Sequence, residues 1–473
     1  MREAALVATL SSPPSPGGEE IASLPPAVRW LEVRANRVGD VDPDWLRGHF
    51  AGELLYSLRG ASGGAERRAR LLAAAERWDL IDLGAEDLDA EILARVPAAR
   101  RVLSWCGPAV SLAELRARWQ QLANVPARLA RLIPAAVEPA DALTPLRLLF
   151  EAGRSDLTAF ASGPAGWWSR LMAPRLGAPV VFAAVAEEEG EPSVARLMAD
   201  YGLPAMSPVE ELYGIVGPKA IRSLSPRLHN AAYRTSSLPA LYVPFPAAHF
   251  GSFWSELGNG ALADLGWPLR GLTVTAPFKE PALAVAAEAS VVARQAGAAN
   301  TLLRKNGSWR ADTADADGVL SVLESRGVGV AGRQVAVVGC GGAGRAAALG
   351  LQRAGAQVTL VNRGTERARF ASQLLGLGCV PLAAFDPRPF SLLVHATPLV
   401  EEPPFPVSGL ARETVVVELV YGQAPTPLMA AAVARGCTAI DGRDVLLVEA
   451  QRQYRMMTGQ EMAADQARAA LTG

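Results

Sequence analysis

Lysine is what this chain most lacks. Of 46 basic residues, only Lys219, Lys279 and Lys305 are lysines, and none of them precedes position 219. Ordinary positive charge is therefore supplied by arginine, and any lysine that was kept invites a chemical reason. Histidine is almost as scarce, with four in the chain. The cysteines Cys106, Cys340, Cys379 and Cys437 lie far apart with no Cys-x-x-Cys pair. That spacing argues against a zinc knuckle or a disulfide framework and fits a reducing cytoplasm. No stretch approaches the ~20 uninterrupted apolar residues of a membrane span. The opening MREAALVATLSSPPSP has no charged start, long apolar middle or small-residue cleavage site, so no signal peptide is expected. Net charge is −1, so no overall field draws the chain to nucleic acid or an anionic membrane.

What is present suits a cytoplasmic enzyme. With 473 residues, half of them apolar, two or three domains are expected. Short apolar segments at 5–10, 28–34, 53–58, 80–84, 101–105, 128–133, 156–161 and 179–185 alternate with helical stretches such as GGAERRARLLAAAERW. Eight such pairs predict a (β/α)8 barrel over residues 1–206. After a junction near YGLPAMSPVEELYGIVG, a second α/β region opens with the strand ELYGIVG and a third with QVAVVG. The tail from 441 is helical by period and is expected to return to the second region. The fold class is thus α/β: a barrel, then a two-domain part comprising 211–314 plus 441–473 and a dinucleotide-binding domain over 315–440.

QVAVVGCGGAGRAAALGLQRAGAQVTLVNR reads as strand, glycine loop, helix and strand. Gly339, Gly341 and Gly344 fit G-x-G-x-x-G, which permits a tight turn, backbone approach to a pyrophosphate and close helix packing. Gly342 and Ala343 complete a loop whose free N–H groups would meet phosphates at the helix start. The second strand ends in Asn362, Arg363 and, further on, Arg367, where NAD binders place an acid. An acid would repel a ribose 2′-phosphate and a guanidinium forks onto it, so NADP is the expected cofactor. No metal is expected.

GLTVTAPFKE places Lys279 at the end of a threonine-rich apolar run. An enzyme that reduces a ketone needs a proton donor beside the developing alkoxide. Lysine serves because its pKa moves readily, whereas arginine stays charged. ADTADADG offers Asp315 and Asp317 as its partner; the plain alternative is a surface lysine and a solvated turn acid.

Several motifs in order make the region from 211 to 473 resemble shikimate dehydrogenase. IRSLSPRLHN supplies Ser223 and Ser225 as expected ligands of a substrate carboxylate. TVTAPFKE supplies Thr275 and the expected catalytic lysine, Lys279; GAANTLL supplies Asn300; and TADADG makes Asp315, not Asp317, the catalytic aspartate. NRGTER, HATP with Thr397, YGQAPTPL with Tyr421, and Gly442 complete the expected cofactor and substrate contacts. The resemblance implies reduction of 3-dehydroshikimate with NADPH, with a fully bifunctional dehydroquinate dehydratase/shikimate dehydrogenase or an enzyme acting on quinate or a related hydroxy acid as the alternatives and a non-catalytic metabolite sensor as the alternative class. Arg222, Thr273, His395 and Val400 depart from the family pattern. So does Glu449, which falls where the family carries a substrate-contacting Gln. Gln453 lies one helical turn away on the same face.

The first 205 residues resemble type I 3-dehydroquinate dehydratase. WLEVRAN gives Glu32 and Arg34, LLYSLRGASGG gives Arg59, and GPAGWWSRL gives Arg170 as an expected barrel ligand site. That family forms a Schiff base on lysine with a histidine as acid/base, a chemistry arginine cannot replace. Here the lysine position falls near Arg131, the histidine position on Cys106, and the Pro-Gly-Gln near the barrel's end reads EPSV. The barrel is therefore expected not to run imine chemistry. Cys106 is expected as a small buried side chain rather than a reactive thiol, and His49 as a surface helix residue rather than a relay.

Overall fold

The computed structural model describes residues 3–60, 64–188, 190–422 and 424–472. They form two compact units, Met1–Glu210 with Pro239–Pro268, and Glu211–Leu238 with Leu269–Gly473.

The first unit holds eight strands: β1 (Ala5–Leu10), β2 (Val28–Arg34), β3 (Glu53–Ser57), β4 (Leu80–Leu83), β5 (Arg101–Gly107), β6 (Leu129–Pro134), β7 (Leu157–Ala159) and β8 (Val180–Ala184). They pair side by side in the order β7-β6-β5-β4-β3-β2-β1-β8, every printed pairing parallel. The Thr158 hydroxyl of β7 donates to the Val180 carbonyl of β8 at 3.3 Å, nearly closing the ring. All eight expected strands are therefore present, with β5 running two residues past its expected end. Helices such as Gly64–Arg77 and Leu112–Ala123 connect them. The latter starts on a capping box, with the Ser111 side chain on the Glu114 N–H and Glu114 on the Ser111 N–H. The strands read as nearly continuous apolar runs because both faces are covered.

In the second unit, β9 (Glu211–Val216), β11 (Leu269–Val274), β12 (Glu288–Ala289), β13 (Thr301–Lys305) and β14 (Ser308–Asp312) lie in the order β9-β11-β13-β14-β12; β10 (Ala240–Phe245) groups with the first unit. A parallel sheet of β15 (Gln334–Val338), β16 (Gln357–Asn362), β17 (Gly378–Pro381), β18 (Leu392–His395), β19 (Val415–Glu418) and β20 (Thr438–Ile440) runs β17-β16-β15-β18-β19-β20. That is the doubly wound order of dinucleotide-binding folds, with its ligand crevice where β15 meets β18. Val335, Val337 and Val394 point into one apolar layer, and Ala336, Val338 and Leu393 into the other. The helix Gly442–Thr458 packs along Asp315–Ser325 and reaches β11 and β13. Among the described residues no helix is long and apolar enough to cross a membrane.

Candidate active site

Strand β11 delivers its chain end to the crevice of the second unit. After Val274 the Thr275 N–H donates to the Val216 carbonyl at 3.1 Å, and a tight turn lets the helix Lys279–Val285 begin on the lysine itself. Asp315 opens the helix Asp315–Ser325. Lys279 Nζ donates to Asp315 Oδ1 at 2.6 Å, with the lysine side chain 14% and the aspartate 3% exposed. A carboxylate so buried is tolerated only with a partner, and the ammonium is that partner. The Thr313 hydroxyl donates to Asp315 Oδ2 at 3.1 Å, so both aspartate oxygens are held. Asn300 fixes the same turn: its Oδ1 accepts from the Ala314 N–H at 2.9 Å and the Thr301 hydroxyl at 2.8 Å. Asp317 points elsewhere and pairs with Arg452 at 3.0 Å near the surface.

The glycine loop meets this pair. Gly339 has φ +112°, and a Cβ on Gly344 would stand 1.8 Å from the Gly339 carbonyl oxygen. A Cβ on Gly342 would stand 3.0 Å from Lys279 Cβ, so the first turn of the helix Gly342–Arg353 lies directly on the lysine stem. Gly341 has open space beside it, where backbone can approach a ligand, and Ala343 is half-buried in the same turn. Asn362 Oδ1 accepts from the Cys340 N–H at 3.1 Å and its Nδ2 donates to the Gly364 carbonyl at 2.8 Å. Arg363, just past β16, and Arg367, in the helix Thr365–Leu375, are exposed. Thr397, beside Gly339, lies 2.5 Å from His395 Nε2, while His395 Nδ1 meets the buried Glu418 at 2.9 Å. A Cβ on Gly442 would stand 2.3 Å from the Val420 carbonyl oxygen, so this glycine seats its helix on the loop after β19.

Ser223, Ser225 and Gln453 are buried, and the Ser223 oxygen accepts from the Ser225 N–H at 3.1 Å. The Tyr421 hydroxyl is hydrogen-bonded to the Ser223 side chain; burial raises its pKa, and neighbouring Glu449 adds to the rise. Glu449, half-buried on the helix Gly442–Thr458, faces Asp315 and Lys279. Burial pushes its carboxyl up, the Asp315 charge pushes it further, and Lys279 opposes both, leaving it at about 8.

In the first unit the C-terminal half of the barrel is polar inside. Arg131, fully buried on β6, donates to Glu32 Oε1 at 2.8 Å, Asp82 Oδ2 at 2.6 Å and Ser104 Oγ at 2.9 Å, and its guanidinium lies 4.4 Å from the Phe182 ring centre. Arg59 reaches Glu32 at 3.3 Å and Asp82 at 3.4 Å; Arg34 reaches Glu32 at 3.4 Å. Thr9 and Ser57 donate to the same two carboxylates at 2.8 Å and 2.6 Å. Burial alone would raise both acids, but Arg131 and Arg59, joined at Glu32 by Arg34, overcome it and hold them down, Glu32 well below its ordinary value. Arg170 is buried over the Phe160 ring, and its Nε and Nη1 have no hydrogen-bond partner. The four expected barrel residues thus share one end of the barrel. A concavity of this unit, lined by Arg29, Trp30, Glu53 and Arg128, opens at the other end, where strands begin. The loop at 61–63, part of the Arg59 motif, lies outside the described residues.

Cys106 corrects an expectation: it is exposed, not buried. Because β5 continues to Gly107, the residue stands at the exposed C-terminal end of the strand, within electrostatic reach of Arg59. His49 is half-buried just past the helix Pro43–Arg47, its ring 4.4 Å from Trp45.

Residues 57–215 match the family described as type I 3-dehydroquinase, and residues 215–302 match the shikimate dehydrogenase substrate binding domain. The shikimate dehydrogenase (NADP(+)) of Halobacterium salinarum is 37% identical over 270 residues, an alignment that covers 55% of this chain and 98% of that protein. This chain belongs to the shikimate dehydrogenase family. Shikimate 5-dehydrogenase from Thermus thermophilus, solved in complex with shikimate, aligns with a TM-score of 0.50 at 30% identity, over 55% of this chain and 97% of that one. The bifunctional 3-dehydroquinate dehydratase/shikimate dehydrogenase of Arabidopsis thaliana is 28% identical over 324 residues, 63% of this chain and 53% of that protein. The two family matches of this chain correspond to the two activities in the plant protein's name.

Three features of this family member escaped the sequence reading. Asp82 is the second acid under Arg131. Glu418 backs His395 and accepts from the Thr426 hydroxyl. Arg345, fully buried, donates to the carbonyls of Ala296 at 2.7 Å and Cys340 at 3.0 Å and to Glu280 at 2.8 Å, tying the glycine loop to the lysine helix. Only Arg345 carried a signal, as a charged residue in an otherwise alanine- and glycine-rich stretch.

Proposed function

We propose that the second unit is an NADP-dependent shikimate dehydrogenase that reduces 3-dehydroshikimate to shikimate on the route to chorismate and the aromatic amino acids. The 2.6 Å contact of Lys279 with Asp315, against the glycine turn, carries the reading. The names of the Halobacterium and Thermus relatives support the reaction and substrate, and exposed Arg363 and Arg367 support a 2′-phosphate on the cofactor. The cofactor, when bound, supplies the hydride. Lys279 gives its proton to the ring oxygen as charge develops there, and Asp315 keeps the ammonium charged and aimed until that moment. Ser223, Ser225, Thr275, Asn300 and Tyr421 hold the carboxylate and hydroxyls of the substrate. NADPH oxidation on adding 3-dehydroshikimate tests the reading, and its absence would favour a metabolite sensor.

Glu449 in place of the family's amide favours one second reading, turnover of quinate or a related hydroxylated ring acid, which parallel assays with both acids separate. The barrel is read as a binding or structural module. It holds no lysine, and Arg131, near which the resemblance puts the lysine position, is committed to Glu32 and Asp82. Turnover of 3-dehydroquinate by the full chain, or its trapping with borohydride, would reverse that view. Four unpaired cysteines fit a cytoplasmic setting.

A further inference from the structure

The Lys279 cluster holds one ammonium and two carboxyls. Lys279 is bonded to Asp315, and the other Asp315 oxygen accepts from Thr313. Glu449 has no basic side chain of its own among the described residues. Its position is built rather than incidental. Gly318 lies one helical turn after Asp315, on the same face. A Cβ there would stand 2.7 Å from Glu449 Cγ and 3.2 Å from its Oε1, so the glycine opens the slot in which the Glu449 side chain rests.

The groups facing Glu449 are few. The helix Asp315–Ser325 presents Asp315, while Asp317 is turned away onto Arg452. The helix Lys279–Val285 presents Lys279, and the loop after β19 presents Tyr421, whose hydroxyl meets Ser223. His229 and Tyr233, from the helix Ser225–Thr235, pack on Tyr454, more than a turn further along. On its own helix the neighbour over Gly318 is apolar Val445. One cation already engaged by one anion leaves a second, half-buried carboxylate uncompensated, and such a group keeps its proton.

We propose that Glu449 works as a neutral carboxylic acid which donates a hydrogen bond to the bound substrate, making substrate affinity proton-linked where an amide would leave it independent of pH. This rests on the dehydrogenase reading above. A neutral carboxyl, like an amide, both donates and accepts, whereas the ionised form only accepts and adds a negative charge beside a substrate that carries its own carboxylate. Raising the pH should therefore weaken binding of the ring acid while leaving Lys279 and Asp315 in place.

The test uses the full chain and its Glu449→Gln variant, with NADPH and 3-dehydroshikimate from about pH 6 to about pH 9.5. In the wild type KM for 3-dehydroshikimate should rise about tenfold per pH unit above the titration point, with KM for NADPH steady. In Glu449→Gln the rise should disappear, with KM at about pH 6 within a few-fold of the wild type. An equal rise in both proteins, or a flat wild type beside a variant crippled at every pH, overturns the proposal. Infrared difference spectra of the ligand-free proteins add an independent reading. A protonated-carboxyl band that persists past neutral pH in the wild type and is missing in Glu449→Gln is expected; its absence from the wild type also overturns the proposal. If neither protein oxidises NADPH, the dehydrogenase reading falls and the proposal with it, and the band distinguishes that failure from a wrong protonation state.

Discussion

Replacing Arg131 with methionine removes one charge from beneath two buried acids while keeping most of the side-chain volume. Arg131, Glu32 and Asp82 are 0%, 0% and 3% exposed, and the guanidinium makes a contact of 2.8 Å to one acid and 2.6 Å to the other. Breaking a buried ion pair from one side costs about 3–5 kcal/mol, because the partner is left charged and dry. Two acids are stranded here, but Arg59 and Arg34 remain at 3.3 to 3.4 Å and keep part of the compensation. Losing the contact with the Phe182 ring adds about 1 kcal/mol. The expected loss is therefore about 4 kcal/mol in the first unit. Urea unfolding followed by tryptophan fluorescence reads that unit selectively, since Trp309 is the one tryptophan outside it. A triple variant, Glu32→Gln with Asp82→Asn and Arg131→Met, removes the charges together and should return to within about 2 kcal/mol of the wild type. The pH dependence has a fixed sign. Both acids are held below their ordinary values of 4.5 and 3.8, so the network's contribution is complete above about pH 4.5 and is lost as pH falls further. A loss under about 1 kcal/mol in Arg131→Met, or a triple variant as damaged as the single one, would refute the reasoning.

Lys279→Ala should lower kcat by about 10²–10⁴-fold with an unchanged circular dichroism spectrum, and unchanged turnover would remove its acid role. Asp315→Asn should lower kcat comparably while substrate KM changes by less than about tenfold, read from steady-state kinetics across pH. Charge reversal at both Arg363 and Arg367 should raise KM for NADPH about ten- to a hundredfold and leave the weak use of NADH unchanged or improved. Because the Glu449 carboxyl is raised from 4.5 to about 8, its favourable contribution to the ligand-free fold is complete below about pH 4.5 and gone above about pH 8. Melting curves of Glu449→Gln should therefore gain on the wild type as pH rises between those limits.

The sequence foretold most where the physics is local. Eight apolar segments separated by helical stretches became β1 to β8, since strand period and turn residues are set by near neighbours. The glycine loop was readable for the same reason: a strand before it and a helix after it leave few geometries. Lys279 stood out by rarity, but its bond to Asp315 spans 36 residues, and spacing alone could not choose between Asp315 and Asp317. The barrel network was harder. Arg131 and Glu32 are 99 residues apart, and only closure of the ring brings β2 and β6 to face one another across its interior. Cys106 was misjudged because a two-residue extension of β5 puts it at the strand's exposed end, within the ordinary uncertainty of strand ends.

The missing side chain at Gly342 leaves the lysine stem and the first turn of the dinucleotide helix sharing a wall. A dinucleotide seated on that turn, as proposed, would bear on the lysine stem, so its arrival and the aim of the ammonium would be coupled. A methyl group there would wedge the two apart without deleting either, leaving an enzyme that holds both reactants yet delivers the proton from the wrong place.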